Sequence, residues 1–191
     1  MSENYDITPR TLPSNVQRAS SILKRIGRIG FWLQIVLGVI SAVLLLIASA
    51  SLFGSGRQRT QGIEIGILCA LLGVVLLGAG IYFSWRYTQI AKLMQVSDSG
   101  SRPRKAETLQ VIRYGLIVNL VGMLFAILGA EALAGIVLVK SLNVPQGVFN
   151  QDFSKFVNSV DLLIVQANTN TIAAHFTGIV STLWLLERIT K

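Results

Sequence analysis

One histidine and a few carboxylates and amides lie inside stretches that are otherwise aliphatic. These are the residues able to do chemistry. His175 falls within QANTNTIAAHFTGIVSTLWLL (Gln166–Leu186), with Gln166, Asn168 and Asn170 upstream. Asn119 and Glu131 interrupt the apolar run from Tyr114 to Val139, and Glu64 stands just before the run that begins at Ile65. An imidazole can ligate a metal, carry a proton or bond between helices. Together with carboxylate and amide oxygens it suits a first-row divalent cation or a proton. Glu131 and His175 are therefore the candidate metal ligands, with the divalent ion as substrate rather than resident cofactor. Gln166, Asn168, Asn119 and Glu64 belong to the same transport path or tie helices together. No pair has a spacing that only a metal requires, so plain interhelical bonding competes with the path. There is no phosphate loop, no metal-binding cysteine pair and no nucleophile–base–acid set, which points away from an enzyme.

A second pattern concerns small residues. Gly115, Asn119, Gly122, Ala126 and Gly129 recur on one helical face, and Gly62 and Gly66, with Gly73 further on, offer a similar surface upstream. Small residues at that spacing let another backbone come close, within the chain or on a second copy. Asn168, Thr171, His175, Gly178 and Thr182 form a polar stripe at the same periodicity. That stripe must meet protein or water rather than lipid.

Such residues need long elements to hold them. Of 191 residues, 52% are hydrophobic and 14% charged, against roughly 25% charged in a soluble domain. Runs of about 20 apolar residues cross a ~30 Å hydrocarbon core as helices. Four such spans are expected, at about 29–53, 65–85, 114–139 and 166–186, the last the most polar. The expected fold is an all-α membrane protein, a single polytopic domain over 1–191. Ala48-Ser49-Ala50 resembles a cleavage site, but the apolar run before it is too long for a signal peptide, so the first span is read as uncleaved. The lone cysteine, Cys69, reads as a small packing residue.

Charge sets the expected orientation. Lys and Arg favour the cytoplasmic side. The N-terminal segment, the second loop and the C-terminus hold thirteen of the 17, and the first and third loops four. Both termini are therefore expected in the cytoplasm. The net charge of +8 then belongs to the lipid bilayer surface and not to nucleic acid. Two amphipathic segments are expected at the interfaces. One is basic and precedes the first span from Ser14, either lying on anionic lipid or extending the span. The other covers about 147–161, where Phe149, Phe153, Phe156 and Val160 share a face. Four helices enclose little space, so a homo-oligomer or a place in a larger membrane complex is expected.

GRIGFWLQIVLG (Gly27–Gly38), QANTNTIAAHF (Gln166–Phe176) and the Trp184-Leu185-Leu186 ending carry a family resemblance. The chain resembles, from about residue 12 to 189, cyanobacterial membrane proteins of unassigned function and their chloroplast inner-envelope relatives. The plant members are known as the permease in chloroplasts and as a small subunit of the inner-envelope import translocon. The resemblance implies four membrane helices and a cyanobacterial plasma or thylakoid membrane. It implies two functions, iron permeation and assistance to protein translocation as a scaffold or assembly subunit. It supplies no catalytic residues.

Overall fold

The computed structural model describes residues 14–54, 63–95, 103–142 and 159–190. These form four helices: α1 (Ser14–Gly54), α2 (Ile63–Met94), α3 (Lys105–Leu142) and α4 (Ser159–Thr190). Pro103 falls just before α3, as expected for a residue that removes a helical hydrogen bond. At the start of α3 the Arg104 amide donates to Glu107 Oε2 at 3.4 Å, and the Thr108 amide donates to the Arg104 carbonyl at 3.0 Å. An acidic side chain turned back onto the first turn satisfies an amide the helix cannot. At the end of α2 the Gln95 amide donates to the Lys92 carbonyl at 3.1 Å, a final tightened turn.

Neighbouring helices run antiparallel around a square. α1 packs on α2 and α4, α3 packs on the same two, and α2 meets α4 across the diagonal. Leu23 of α1, Tyr87 and Ala91 of α2, Ile112 of α3 and Leu185 of α4 form a core at one end. Leu45, Ala70, Leu133 and Ile164, again one from each helix, form a core at the other. The first end carries the basic residues Lys24, Arg28, Lys92, Lys105 and Arg188.

Three helices contain segments long and apolar enough to cross a membrane, Val16–Ala50, Ile65–Met94 and Lys105–Val139. Only 28%, 28% and 22% of their most apolar windows are buried inside the bundle. The aliphatic side chains point outward, the reverse of a soluble bundle, which buries its apolar stripe. Among the described side chains of α1 the large exposed hydrophobics run from Ile29 to Ile47. That is about 27 Å along the axis, close to the ~30 Å hydrocarbon core. The molecule is a helical membrane protein.

Of the two alternatives for the basic segment, extension of the first span holds. The basic segment before the first span is not a separate surface helix: α1 is unbroken for 41 residues, and Ser20 and Leu23 are fully buried against its neighbours. An interfacial helix needs a free apolar face, and this one is occupied. The outer segment expected at 147–161 lies outside the described residues up to 158. Its end, Ser159–Asp161, is the first turn of α4, which therefore starts about two turns before the expected span.

Candidate functional site: a buried polar network at mid-bundle

Every helix contributes one or more polar groups to a cluster halfway along the bundle. Ser84 Oγ of α2 donates to Gln34 Oε1 of α1 at 2.6 Å, and Gln34 Nε2 donates to Asn119 Oδ1 of α3 at 2.9 Å. Asn119 Nδ2 donates back to the Gly115 carbonyl at 2.8 Å. His175 of α4 places Nδ1 3.2 Å from Asn119 Oδ1 and Nε2 3.1 Å from the Gly73 carbonyl. Gln34, Ser84, Asn119 and His175 are all buried. A buried polar group left without a partner costs about 1–3 kcal/mol, and these partners come from different helices. The network thus fixes the mutual register of all four.

Glycines make room for it. A Cβ on Gly122 would overlap the His175 ring, and one on Gly178 would overlap the Asn119 and Gln34 amides. A Cβ on Gly80 would lie 2.7 Å from Asn119 Oδ1. Here the absence of a side chain is what lets three amide and imidazole groups occupy the axis.

The orientation of Asn119 follows from the bonds. Its nitrogen faces a carbonyl, so its oxygen must face both Gln34 Nε2 and the imidazole. Both ring nitrogens of His175 then face acceptors. A neutral imidazole has one N–H, so each tautomer satisfies one contact, and a second proton would satisfy both. The cluster can therefore hold, shift or accept a proton at one of two nitrogens. A metal could reach the ring only by displacing Asn119 or the Gly73 carbonyl.

A second polar layer lies toward the end of the bundle away from the basic residues. Ser41 of α1 donates to the Ala167 carbonyl and bonds Thr171 Oγ1, which also bonds Ala167. Asn168 Nδ2 donates to the Ile164 carbonyl at 3.3 Å, while its buried Oδ1 has no hydrogen-bond partner. With Asp161 and Thr182 these groups form a column of buried polar side chains along α4.

The expected site residues separate into two sets. Asn119, His175 and Asn168 are inside. Glu131 and Gln166 are exposed on α3 and α4, Gln166 bonding only its own helix neighbour Asn170 at 3.3 Å. The structure does not bring Glu131 and His175 together. The α3 residue beside His175 is Gly122; Glu131 lies nine residues on, about 13 Å along the axis and half a turn round. Among the described residues no three His, Cys, Asp or Glu side chains gather to hold a metal ion. Gly62 and the Glu64 side chain lie outside the described residues.

The glycine faces are also spoken for. Gly115 stands against Tyr87 and Phe83, Gly66 against Leu133, and a Cβ on Gly129 would come 3.0 Å from the Ala70 nitrogen. These surfaces join α2, α3 and α4 within the chain, so they do not serve a second copy. Sequence reasoning missed Gln34 and Ser84 as members of the network and Ser41 as a member of the second layer. Gln34 had a readable signal, as the one amide in a long apolar run. The two serines had none, since serine is common in membrane helices.

Membrane-length helices that expose their aliphatic side chains and bury a polar core define a small polytopic helical membrane protein. The chain belongs to the family described as protein of unknown function (DUF3611), whose model matches residues 13–190. It is 30% identical over 180 residues to Protein TIC 21, chloroplastic, of Arabidopsis thaliana, an alignment that covers 92% of this chain. The chain spans 59% of that relative's length. No solved structure matches.

Proposed function

We propose that the protein is a small membrane permease in which α4 is a fourth crossing, both termini face the cytoplasm, and the His175–Asn119–Gln34 network gates a cation path. The observation that carries this reading is the column of buried polar groups along α4. It reaches from Asp161 past His175 to Thr182, between walls whose outer faces are aliphatic. Packing supports the fourth crossing: Ile164 and Leu185, near opposite ends of α4, sit in the two end cores with residues of α1 and α3. A helix held at both ends between two crossing helices shares their depth. The proton is the cargo that the ring's two acceptor contacts suit best. Iron or another divalent metal would bind the imidazole nitrogen and amide oxygens after the network opens.

The test is flux through the purified protein in sealed vesicles, offered protons and a panel of divalent metals in turn. Flux of at least one cation, reduced about tenfold or more in His175→Ala and Asn119→Ala, is the expected result. Folded wild-type protein that passes none of them sinks the reading.

A second reading, a non-transporting assembly or translocation subunit, has its own support. Asn168 approaches Gly129 in the antiparallel pair α3–α4, which puts Glu131 and Gln166 at the same depth, both on outward faces. An ionisable group and an amide facing lipid are costly until a partner covers them. In that reading single cysteines at Glu131 and Gln166 cross-link to other chains in the native membrane. Cross-linking between copies points to a homo-oligomer, and cross-linking to foreign chains to a larger complex.

A further inference from the structure

At the basic end, α1 and α2 are pinned together at two points. Ser20 Oγ donates to the Ala91 carbonyl at 2.8 Å. Gly27 lies so close to α2 that a Cβ would stand 3.1 Å from Tyr87 Cβ and 3.2 Å from the Ser84 carbonyl. Gly27 lies between Lys24 and Arg28 in sequence, and the close approach sets those two cations beside Lys92. The result is a groove of about 210 Å³ lined by Lys24, Arg28, Lys92, Gln89, Trp32 and Trp85, with no carboxylate among the described residues of its wall. A wider neighbouring groove of about 440 Å³ shares Lys24 and Arg28 and adds Arg25.

Three cations converging without an acid repel one another, and an anion between them relieves that. The depth of the groove says which anion. Exposed large hydrophobics start at Ile29 on α1, and on α2 they run to Trp85, with Leu93 beyond. Trp32 and Trp85 are 59% and 42% exposed, in keeping with tryptophan's place at the membrane–water boundary. Arg28 thus stands at the edge of the apolar belt and Lys24 and Lys92 one to two turns above it, level with lipid phosphates. Below them Val36 and Val39 continue as exposed apolar surface down α1.

We propose that the α1–α2 groove is a binding site for an anionic phospholipid. Lys24, Arg28 and Lys92 hold the headgroup phosphate, Gln89 donates a hydrogen bond, and the acyl chains lie below Trp32 along Val36 and Val39. A soluble phosphate would use the cations but leave the apolar continuation unused, which is why the lipid is the occupant. Basic pockets between membrane helices take anionic headgroups on this principle. The proposal needs the bundle in a bilayer and is independent of whether it carries a cation.

Tryptophan quenching tests it. In a Trp184→Phe background only Trp32 and Trp85 report. The full chain is reconstituted in phosphatidylcholine vesicles with increasing brominated phosphatidylglycerol, or with brominated phosphatidylcholine instead. Half-maximal quenching by the brominated anionic lipid is expected at a mole fraction about tenfold lower. Lys24→Gln with Arg28→Gln and Lys92→Gln should erase the difference. Arg104→Gln with Lys105→Gln and Arg113→Gln, an equal loss of charge elsewhere at the same end, should leave it, with helical content unchanged in both. Equal quenching by the two lipids overturns the proposal, as does loss of preference in both triple variants, which would mean general surface charge. Full reversal by soluble glycerol phosphate would also overturn it, because the groove would then take a free anion.

Discussion

Gly122 is small because His175 fills the space a side chain would need. Gly122→Ala must push the imidazole away from Asn119 and the Gly73 carbonyl. Overpacking of this kind costs about 1–3 kcal/mol, to be read from unfolding of the purified protein in mixed micelles. Gly78 is the internal control: nothing lies within 4 Å of a Cβ placed there, so Gly78→Ala should leave stability unchanged or raise it slightly. Equal losses in both would mean that helix flexibility, not the imidazole contact, sets the requirement. Asn119→Ala leaves Gln34 Nε2 and one imidazole nitrogen without their partners, and about 1 kcal/mol is the expected loss for an interhelical bond of this type. At this scale the sequence was partly readable. Rarity exposes a histidine or asparagine in an apolar run as a polar group needing a partner. The partners were hidden, because a backbone carbonyl such as that of Gly73 carries no sequence signal.

Among elements, α4 is the one whose sequence and position pull apart. Gln166, Asn168, Asn170 and His175 dilute its hydropathy, and α1, α2 and α3 alone meet the mark for a crossing by length and composition. Its pattern was nonetheless readable, because Asn168, Thr171, His175 and Thr182 share a face and all four are buried. What the pattern could not give is which polar residues lie off that face. Gln166 and Asn168 are two apart, about 200° round the helix, and so fall on opposite sides. Asn168 separates the two functional readings. Its Oδ1 has no partner and its Nδ2 bonds only its own helix, so it ties α4 to nothing by hydrogen bonds. Asn168→Leu, close in volume and free of the unpaired acceptor, should therefore keep or raise stability. In a permease it should also lower flux by interrupting the polar column. Loss of stability instead would show that the amide holds α4 in place.

For the whole molecule, the bundle was legible as spans and charge, and its interior was not. Apolar runs fix how many helices can lie in lipid. Which faces meet depends on angular register summed over long helices; Glu131 lies outside because it stands half a turn round from Gly122, while the helix that packs on each face carries no signal in the sequence. Orientation remains a matter of charge. The basic ends of α1 and α4 share one core, with Leu23 and Leu185 in contact through the same cluster. The end of α3 at Leu142 lies beyond the opposite core, which contains Leu133. With Cys69→Ala as background, single cysteines at Arg18, Thr190 and Leu142 report the arrangement to a membrane-impermeant maleimide. Leu142 should label in intact cells, whereas Arg18 and Thr190 should label only after permeabilisation. Labelling of Thr190 together with Leu142, while Arg18 stays protected, would place α4 outside the bilayer. The buried imidazole would then not lie at membrane depth, and a path through it would lead nowhere.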